Sequence, residues 1–332
     1  MKHSNYHEVE GSDPVKLGRA LGLQFGDRIR DYIADLEDVD ESAWRRARML
    51  LQQTEKYFPE YVVELRSYAN AAEVELLELW AVAIEDQLSP DASERCTTIV
   101  TNEGRLIGHN EDWDPDSATE ICILKKRVGN TTSLELYYYG CPLGGVALSI
   151  SSRGHVQAIN SVAHADGRDG VPKHVIARAL SDLRFGAADL ERILAVPRSS
   201  GFAHILVDRT GHLTSIECTA TQHRVTRPRT PFVHTNHLLD PVLGQRGLAA
   251  SESSFHRFKD ATAKASETMD LTAMMKLVGD QSHGKSQSVL NKNTIARAIV
   301  DFDQQTAYFW LKQESEKGWV PYSIDFLFKP ES

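Results

Sequence analysis

Apolar side chains recur at steps of three and four residues along the first quarter of the chain. The first run follows Pro14, a residue suited to the first turn of a helix, and extends to about residue 36. The polar residues before Gly11 predict a short strand or turn that leads into this helix. The period continues in three later runs, and Pro59 ends the first of them. These runs predict a mainly helical N-terminal segment, with further helices over 41–57, 60–69 and 73–84.

From residue 96 onward the pattern changes to short runs rich in β-branched and aromatic residues. Two of them, 96–101 and 106–112, flank the turn Asn102–Arg105 and predict a β-hairpin. More strand-like runs follow in blocks, which two pairs of helical runs interrupt. Strand blocks that alternate with helix pairs indicate an α+β fold in which helices cover sheets. The helices predicted in this part span 172–183, 187–195, 251–265 and 270–279.

The charge of the chain is uneven. Residues 1–95 carry 20 Asp and Glu against 11 Lys and Arg, so the whole net charge of −9 lies in this segment. The other 26 acidic and 26 basic side chains cancel. A nucleic-acid partner would need a basic face, so none is expected. The change of charge near residue 95 suits two segments of different structural type.

Hydropathy and cysteine spacing narrow the class of protein further. No apolar run approaches the ~18 residues that cross a membrane, and residues 1–7 are polar, unlike a secretory signal. The four cysteines form no Cys-x-x-Cys pair, so neither a zinc knuckle nor a disulfide framework is expected. A cytoplasmic, reducing compartment is the expectation, without a membrane partner.

The two strands of the first hairpin carry the most reactive set of side chains. Cys96 opens the first strand, and a cluster of amide and carboxylate groups, including Asp112, closes the second. Antiparallel pairing would bring Asp112 back towards Cys96. A thiol with amide and carboxylate groups beside it is typical of a catalytic nucleophile, whereas an isolated cysteine is more often a buried core residue.

Cys96–Thr98, a short hairpin and the Gly-x-Asn-x-Asp motif at 108–112 together resemble the start of the mature chain in N-terminal-nucleophile hydrolases. In particular the chain is similar to the acyl-coenzyme A:6-aminopenicillanic acid acyltransferase family, the C45 peptidase-like group, over most of 96–311. The resemblance implies a four-layer αββα sandwich preceded by the helical segment. It also implies that the precursor cuts itself between Arg95 and Cys96. Segment 1–95 would then stay bound to the catalytic segment 96–332.

Such a cleavage would give Cys96 its own base. A free thiol titrates near ~8.5, whereas an α-amino group titrates near ~7.7–8.0 and is partly unprotonated at neutral pH. The new amino group would lie on the same residue as the sulfur, so no separate histidine is needed. Asp112 would stabilise the α-ammonium that forms when the thiol gives up its proton.

Two asparagines are candidates for binding the oxyanion. Asn236 lies in the run Thr235–His237 at the end of a predicted strand, and the resemblance implies that its amide donates to the oxyanion. Asn160 follows the strand-like run 156–159. It resembles the asparagine that is a second oxyanion donor in the choloylglycine hydrolases, which are more distant relatives. Losing one such donor costs about 10²–10³ in rate in a comparable site. The structural alternative is an asparagine that ends a strand in a turn.

Four further residues are candidates for contacting the substrate: His109, Asn110, His234 and His237. His109 stands where relatives carry Arg or Gln. The His234 and His237 pair lacks a third ligand at fixed spacing, so no metal is expected. Asn293 stands where relatives often carry Arg, and Lys292 or Arg297 are candidates to replace that charge.

The sequence therefore predicts a cytoplasmic, autoprocessing amidohydrolase that cleaves a linear N-acyl or β-alanyl-type amide through a thioester. The alternatives are acyl transfer from a coenzyme A thioester, a thiol hydrolase with a base such as His109, and an unprocessed binding protein of the same fold. No cofactor is expected beyond coenzyme A as part of a substrate. The expected partners are a small-molecule amide and the two cleaved segments with each other, and a homo-oligomer is left open.

Overall fold

Two β-sheets lie face to face, and helices cover both outer faces. The structure is a computed structural model, and it describes residues 2–34, 36, 39–88, 96–184, 187–245, 247–248 and 251–329. The α+β four-layer sandwich predicted from the sequence is confirmed. Arg95 and the predicted loop 89–94 lie outside the described residues.

Helices dominate the first part of the chain and return in pairs between the strands. None among the described residues is long and apolar enough to cross a bilayer. The helices are α1 Pro14–Ala34, α2 Glu41–Tyr57, α3 Pro59–Ala72, α4 Leu76–Ala83, α5 Glu85–Leu88, α6 Lys173–Ser181, α7 Ala187–Ala195, α8 Pro241–Gly244, α9 Glu252–Lys264 and α10 Leu271–Val278.

Within the described ranges, the strands form one sheet of eight and one of six. Their bounds are β1 Tyr6–Gly11, β2 Thr97–Thr101, β3 Leu106–Asp112, β4 Ile121–Val128, β5 Thr131–Tyr138, β6 Leu148–Ser151, β7 His155–Ser161, β8 Phe202–Asp208, β9 Leu213–Cys218, β10 His223–Thr226, β11 Phe232–His234, β12 Thr294–Asp301, β13 Thr306–Leu311 and β14 Val320–Ser323. The larger sheet has the order β1-β4-β5-β6-β7-β8-β9-β10, and the smaller has β11-β2-β3-β12-β13-β14. The candidate nucleophile precedes a central strand of the smaller sheet.

The three largest apolar clusters among the described residues hold the layers together. The middle cluster joins inward side chains of both sheets, such as Ile123 and Leu136 of the larger and Val300 and Phe309 of the smaller. A second cluster packs α1 to α4, α6 and α7 against the outer face of the larger sheet. The third packs α9 and α10 on the outer face of the smaller sheet. Each large apolar side chain buried in this way contributes about 1.5–3 kcal/mol.

The hairpin β2–β3 forms as the turn residues predict. Thr101 pairs with Leu106 and Thr97 with Asn110. Gly104 has φ 84°, and a Cβ there would come 2.0 Å from the Gly211 carbonyl oxygen, so the position needs glycine. The Asn102 side chain fixes the turn through both backbone groups of Met269. The start of β2 and the end of β3 therefore lie side by side.

The lead segment forms a strand, β1, which is one of the two outcomes that the sequence predicts, and it pairs in parallel with β4 at an edge of the larger sheet. Two details differ from the sequence expectation. Helix α4 begins at Leu76 because Glu73 adopts a left-handed conformation, with φ 58°, that ends α3. The sequence predicts a last strand over 322–328, whereas the structure places a shorter strand at Val320–Ser323 and a 3₁₀ turn at Asp325–Leu327.

The N-terminal segment makes buried polar contacts with the rest of the chain. Arg178 of α6 reaches both carboxylate oxygens of Glu64 of α3 at 3.1 and 3.2 Å, and both side chains are buried. Lys173 lies 2.5 Å from Asp86 of α5. Together with the β1–β4 pairing, these contacts hold segment 2–88 against the larger sheet.

Candidate active site

Cys96 lies immediately before β2 and is only 3 % exposed. Side chains alternate along a strand, so the positions of Cys96 and Thr98 share the face that points to the larger sheet. Thr98 Oγ1 donates to Asn160 Oδ1 of β7 at 2.8 Å, which links the two sheets beside the candidate nucleophile. The thiol position is therefore at the closed junction of the two sheets.

The inner face of β3 brings His109 and Glu111 to the same place. The Cys96 sulfur, a ring nitrogen of His109 and a carboxylate oxygen of Glu111 lie within 4.8 Å of one another. His109 Nδ1 is 3.0 Å from Thr98 Oγ1, and its Nε2 is 2.8 Å from Glu111 Oε2. Tyr138 donates its hydroxyl to Glu111 Oε1 at 2.8 Å. Thus both ring nitrogens of His109 and both oxygens of Glu111 already have partners.

These three donor atoms are also the ligand types that a metal such as zinc takes. In the described part of the chain they are a group close enough together to hold an ion. The His109–Glu111 hydrogen bond occupies the two groups that would have to turn towards it. The expectation of no metal stays a prediction.

Asp112 lies on the opposite face of β3, away from solvent. Thr294 Oγ1 donates to its Oδ1 at 2.6 Å, and Asn291 Nδ2 donates to its Oδ2 at 2.7 Å. Burial raises the pKa of Asp112 to about 6, against the lowering effect of Arg257 and these two hydrogen bonds. The carboxyl group is therefore mostly ionised at neutral pH and neutral in mild acid.

Arg257 of α9 connects the candidate residues, and sequence reasoning missed it. Its guanidinium is fully buried. Nη1 donates to the Cys96 carbonyl and to Thr97 Oγ1, both at 2.7 Å, and Nη2 donates to Asn236 Oδ1 at 2.7 Å. Nη1 also lies 3.9 Å from Asp112 Oδ2. One cation thereby fixes the backbone of Cys96, the Asn236 amide and the Asp112 carboxylate.

The sequence did contain a signal for Arg257. The buried face of α9 consists of small residues at helical spacing, Ser253, Ser254 and Ala261, with Arg257 between them. A long cation amid small residues on a buried face indicates a specific partner. Arg297, a sequence candidate for a charged contact to substrate, lies between the rings of Trp310 and Trp319 at 4.1 and 4.9 Å.

The two candidate oxyanion donors keep hydrogen atoms to spare. Asn236 Nδ2 donates to the Ser161 carbonyl at 3.0 Å, and Asn160 Nδ2 is 3.4 Å from the His234 carbonyl. Each amide nitrogen carries two hydrogens, so one remains for another acceptor. Ser254 Oγ accepts from the Asn236 backbone N–H at 2.9 Å and holds this residue at the end of β11.

The remaining candidates, Asn110, His234 and His237, make contacts with other parts of the protein. Asn110 lies on the outer face of β3 and donates to the carbonyls of Val278 and Val289. His234 is buried, with Nε2 2.9 Å from Glu217 Oε1. His237 packs against Phe255, and burial lowers its pKa to about 4. Direct substrate contact by these three, or by His109, stays a prediction.

A cavity of about 180 Å³ opens beside Glu111. Its wall combines residues of α1, α4, α5, β3, β5 and α6 with the turn after β3. Aromatic side chains Tyr32, Trp113 and Tyr138 line it together with carboxylates. Glu111 belongs both to this wall and to the cluster with Cys96 and His109, so one carboxylate connects the cavity with the candidate nucleophile.

Residues 100–316, more than half of the chain, match the family described as acyl-coenzyme A:6-aminopenicillanic acid acyl-transferase. The chain belongs to this family, and the resemblance drawn from its motifs is confirmed. The match indicates an enzyme of the amide hydrolase and acyltransferase class.

Among individual proteins, the chain is similar to the Beta-alanyl-dopamine/carcinine hydrolase of Drosophila melanogaster, with 27% identity over 198 residues. The match covers 50% of this chain and 51% of the relative, so the chain spans about half the length of that relative.

Two solved structures also resemble the chain. A mutant of the conjugated bile acid hydrolase from Clostridium perfringens has 12% identity and a TM-score of 0.42, covering 70% of this chain and 93% of that one. Penicillin V acylase from Agrobacterium tumefaciens has 13% identity and a TM-score of 0.43, covering 65% and 83%. The fold is defined by the layers of this chain itself.

Proposed function

We propose that the chain is an autoprocessing amidohydrolase whose nucleophile is Cys96 and whose base is the α-amino group of the same residue. The observation that carries the proposal is the convergence of Arg257 on Cys96, Asn236 and Asp112. Its three shortest contacts are all 2.7 Å. Burying a cation costs free energy that its ion pairs and hydrogen bonds must offset, and those of Arg257 include the candidate site residues. We infer that this arrangement holds the new chain terminus in register for catalysis.

In the first step, the α-amino group takes the proton of the Cys96 thiol, and the sulfur attacks the amide carbon. The carbonyl oxygen becomes an oxyanion, which accepts the spare N–H groups of Asn236 and Asn160. Asp112 stabilises the α-ammonium through its negative charge. The carbon–nitrogen bond then breaks, and the leaving amine takes the proton from the α-ammonium. A thioester remains on Cys96.

In the second step, water attacks the thioester while the α-amino group accepts its proton. The oxyanion of this second tetrahedral intermediate again accepts hydrogen bonds from Asn236 and Asn160. Collapse breaks the carbon–sulfur bond, releases the carboxylic acid and returns a proton to the sulfur. In both steps the α-amino group first accepts a proton and then donates it, to the leaving amine in the first step and to the sulfur in the second.

The contacts of His109 favour the α-amino group as the base. A histidine base would need a free ring nitrogen directed at the sulfur. Both ring nitrogens of His109 already lie within 3.0 Å of Thr98 and Glu111. The α-amino group that cleavage creates is joined to the sulfur through only two carbon atoms, so it lies within reach of the thiol proton.

The proposed substrate is a linear amide, with a β-alanyl amide as the first choice. The supporting observation is the similarity to a hydrolase named for β-alanyl-dopamine and carcinine. Acyl transfer is the second candidate because the family description names an acyltransferase. Adding a competing acceptor amine distinguishes them, since a transferase would form a new amide faster than it releases free acid.

The proposal also includes cleavage between Arg95 and Cys96, after which segment 1–95 remains bound. The buried Glu64–Arg178 pair and the β1–β4 pairing support retention. The two fragments would co-elute under native conditions and separate only in denaturant.

Amine release from β-alanyl-dopamine tests the proposal. The native chain is expected to give a burst of dopamine followed by a slower steady state, which requires that the thioester forms faster than water hydrolyses it. Cys96→Ala should be inactive and uncut, whereas the matched control Cys122→Ala, at a core cysteine, should keep the burst. A fully active Cys96→Ala chain would refute the proposal.

A further inference from the structure

The position of Glu111 beside the sulfur concerns the acyl half of the substrate. Glu111 is a buried carboxylate, only 4 % exposed. One of its oxygens lies within 4.8 Å of the Cys96 sulfur, and its side chain lines the 180 Å³ cavity. A carboxylate this close to a thiol nucleophile opposes thiolate formation, so a bound cation there would relieve the repulsion.

The carboxylate of Glu111 can accept more than its present contacts. His109 and Tyr138 each engage one oxygen at 2.8 Å. An ionised carboxylate offers about four lone-pair sites, so each oxygen can accept one more hydrogen bond. The two contacts hold the group rigidly and thus reduce the entropy lost when a ligand binds.

The distances suit a short amino-acyl group. In an attack geometry the carbonyl carbon lies about 3–3.5 Å from the sulfur. From standard bond lengths, the ammonium of an extended β-alanyl group lies about 4 Å from that carbon. Because the Glu111 oxygen is no farther than 4.8 Å from the sulfur, the ammonium can hydrogen-bond to it while the carbonyl is in position for attack.

The rest of the cavity also favours a cation. Glu85, Asp86 and Glu120 lie on its wall, and the described lining residues include no Lys or Arg. Lys173 neutralises Asp86 from outside this lining at 2.5 Å. Burial lowers the pKa of the lining His174 to about 4, so its ring is uncharged at neutral pH. The aromatic rings on the wall add faces that attract ammonium groups.

We propose that Glu111 binds the ammonium group of a short amino-acyl substrate and thereby selects the β-alanyl class of amide. This inference rests on the proposed function and extends it from the reaction to the acyl group. The leaving amine does not enter the argument, so its identity stays open.

A pair of substrates tests the role of Glu111. Butyryl-dopamine has the shape of β-alanyl-dopamine, with a methyl group in place of the ammonium. The cleaved native enzyme is expected to prefer the β-alanyl amide by about 10²-fold in kcat/KM, the size of a hydrogen bond to a charged group. Glu111→Gln keeps the shape but removes the charge and leaves only a neutral acceptor, so the preference should fall to a few-fold. Asp116→Asn, an equal loss of charge outside the cavity lining, should retain it.

Each result decides the proposal. Equal rates for both amides in the native enzyme would overturn it, whether or not the variant folds, and would leave the amidohydrolase intact. An unchanged preference in Glu111→Gln would also overturn it. If neither amide is hydrolysed, the proposed function fails instead. Calorimetric Kd values of the two amides for the native chain and Glu111→Gln then give the same ratio without turnover.

Discussion

The two faces of strand β3 carry different parts of the candidate site. On the inner face, His109 and Glu111 lie beside the Cys96 sulfur and a cavity. On the outer face, Asn110 and Asp112 lie among backbone carbonyls, polar side chains and a buried arginine. Through Glu111 the inner face borders the cavity, whereas Arg257 on the outer side holds the backbone of the candidate nucleophile. Adjacent carboxylates thus have different surroundings because a strand alternates its side chains.

The comparison predicts its largest effect at Arg257. Arg257→Leu removes the contacts to Cys96, Thr97 and Asn236 and leaves the Asp112 carboxylate without its cation. We expect kcat/KM to fall by about 10³ or more and stability by about 3–5 kcal/mol, as for a broken buried pair. Steady-state kinetics and thermal melting measure both.

A purely structural role for Arg257 would lower Tm without moving the pH profile. The loss of its charge should instead raise the pKa of Asp112 above about 6 and shift the acid limb of activity upward. Arg257→Lys keeps the charge but not the fork of donors. It should therefore recover part of the activity and move the acid limb part of the way back to its native pH. A limb unchanged in both variants would contradict the assignment.

The next effect concerns the ionisation of Asp112. Its pKa is raised to about 6 by burial, so activity should decline as pH falls through this value, because the neutral acid no longer supports the α-ammonium. The positive charge of that ammonium would move the limb to lower pH. Asp112→Asn should remove this ionisation, leave the acid limb of the α-amino group near ~7.7–8.0, and lower kcat/KM by about 10². The profile of kcat/KM against pH measures this.

The same pKa shift has a consequence for stability. A raised pKa means that the folded chain favours the neutral carboxyl group, so its favourable contribution is complete below the ordinary value of 3.8 and is lost as pH rises through about 6. The Tm of the native chain relative to that of Asp112→Asn should therefore decrease as pH rises from 3.8 to about 6. A relative Tm that increases over that interval would contradict the buried environment.

Asn110 separates structural support from chemistry. Asn110→Ala leaves the carbonyls of Val278 and Val289 without these donors, which should cost about 2 kcal/mol. The ratio of kcat/KM for β-alanyl and butyryl amides should stay unchanged, because the side chain lies on the outer face. A changed ratio would place Asn110 in the substrate site.

The smallest effect is expected at Tyr138. Tyr138→Phe removes one hydrogen bond to Glu111 but keeps the ring on the cavity wall. We expect a loss of a few-fold in the preference for the β-alanyl amide, since Glu111 keeps its charge and its contact with His109. Kinetics with the paired amides measure it, and a loss as large as that of Glu111→Gln would assign the recognition to Tyr138.

Local signals predicted much of the fold and part of the site. Turn chemistry at Asn102–Gly104 fixed the hairpin, and pairing of Thr101 with Leu106 already implies that position 96 lies opposite 111. The motif drew attention to Asp112 instead, so Glu111 was overlooked. Arg257 could not be placed, because it meets Cys96 from 161 positions along the chain and its role depends on packing of α9. The parallel pairing of β1 is likewise a contact that local pattern does not specify.

The central claim is that the backbone nitrogen of Cys96 becomes the base for its own sulfur. N-terminal sequencing and intact mass of an active preparation, combined with burst titration, test it directly. We predict that the fraction of chains beginning at Cys96 equals the fraction that gives a burst. A full burst from chains in which Arg95 is still joined to Cys96 would contradict the account.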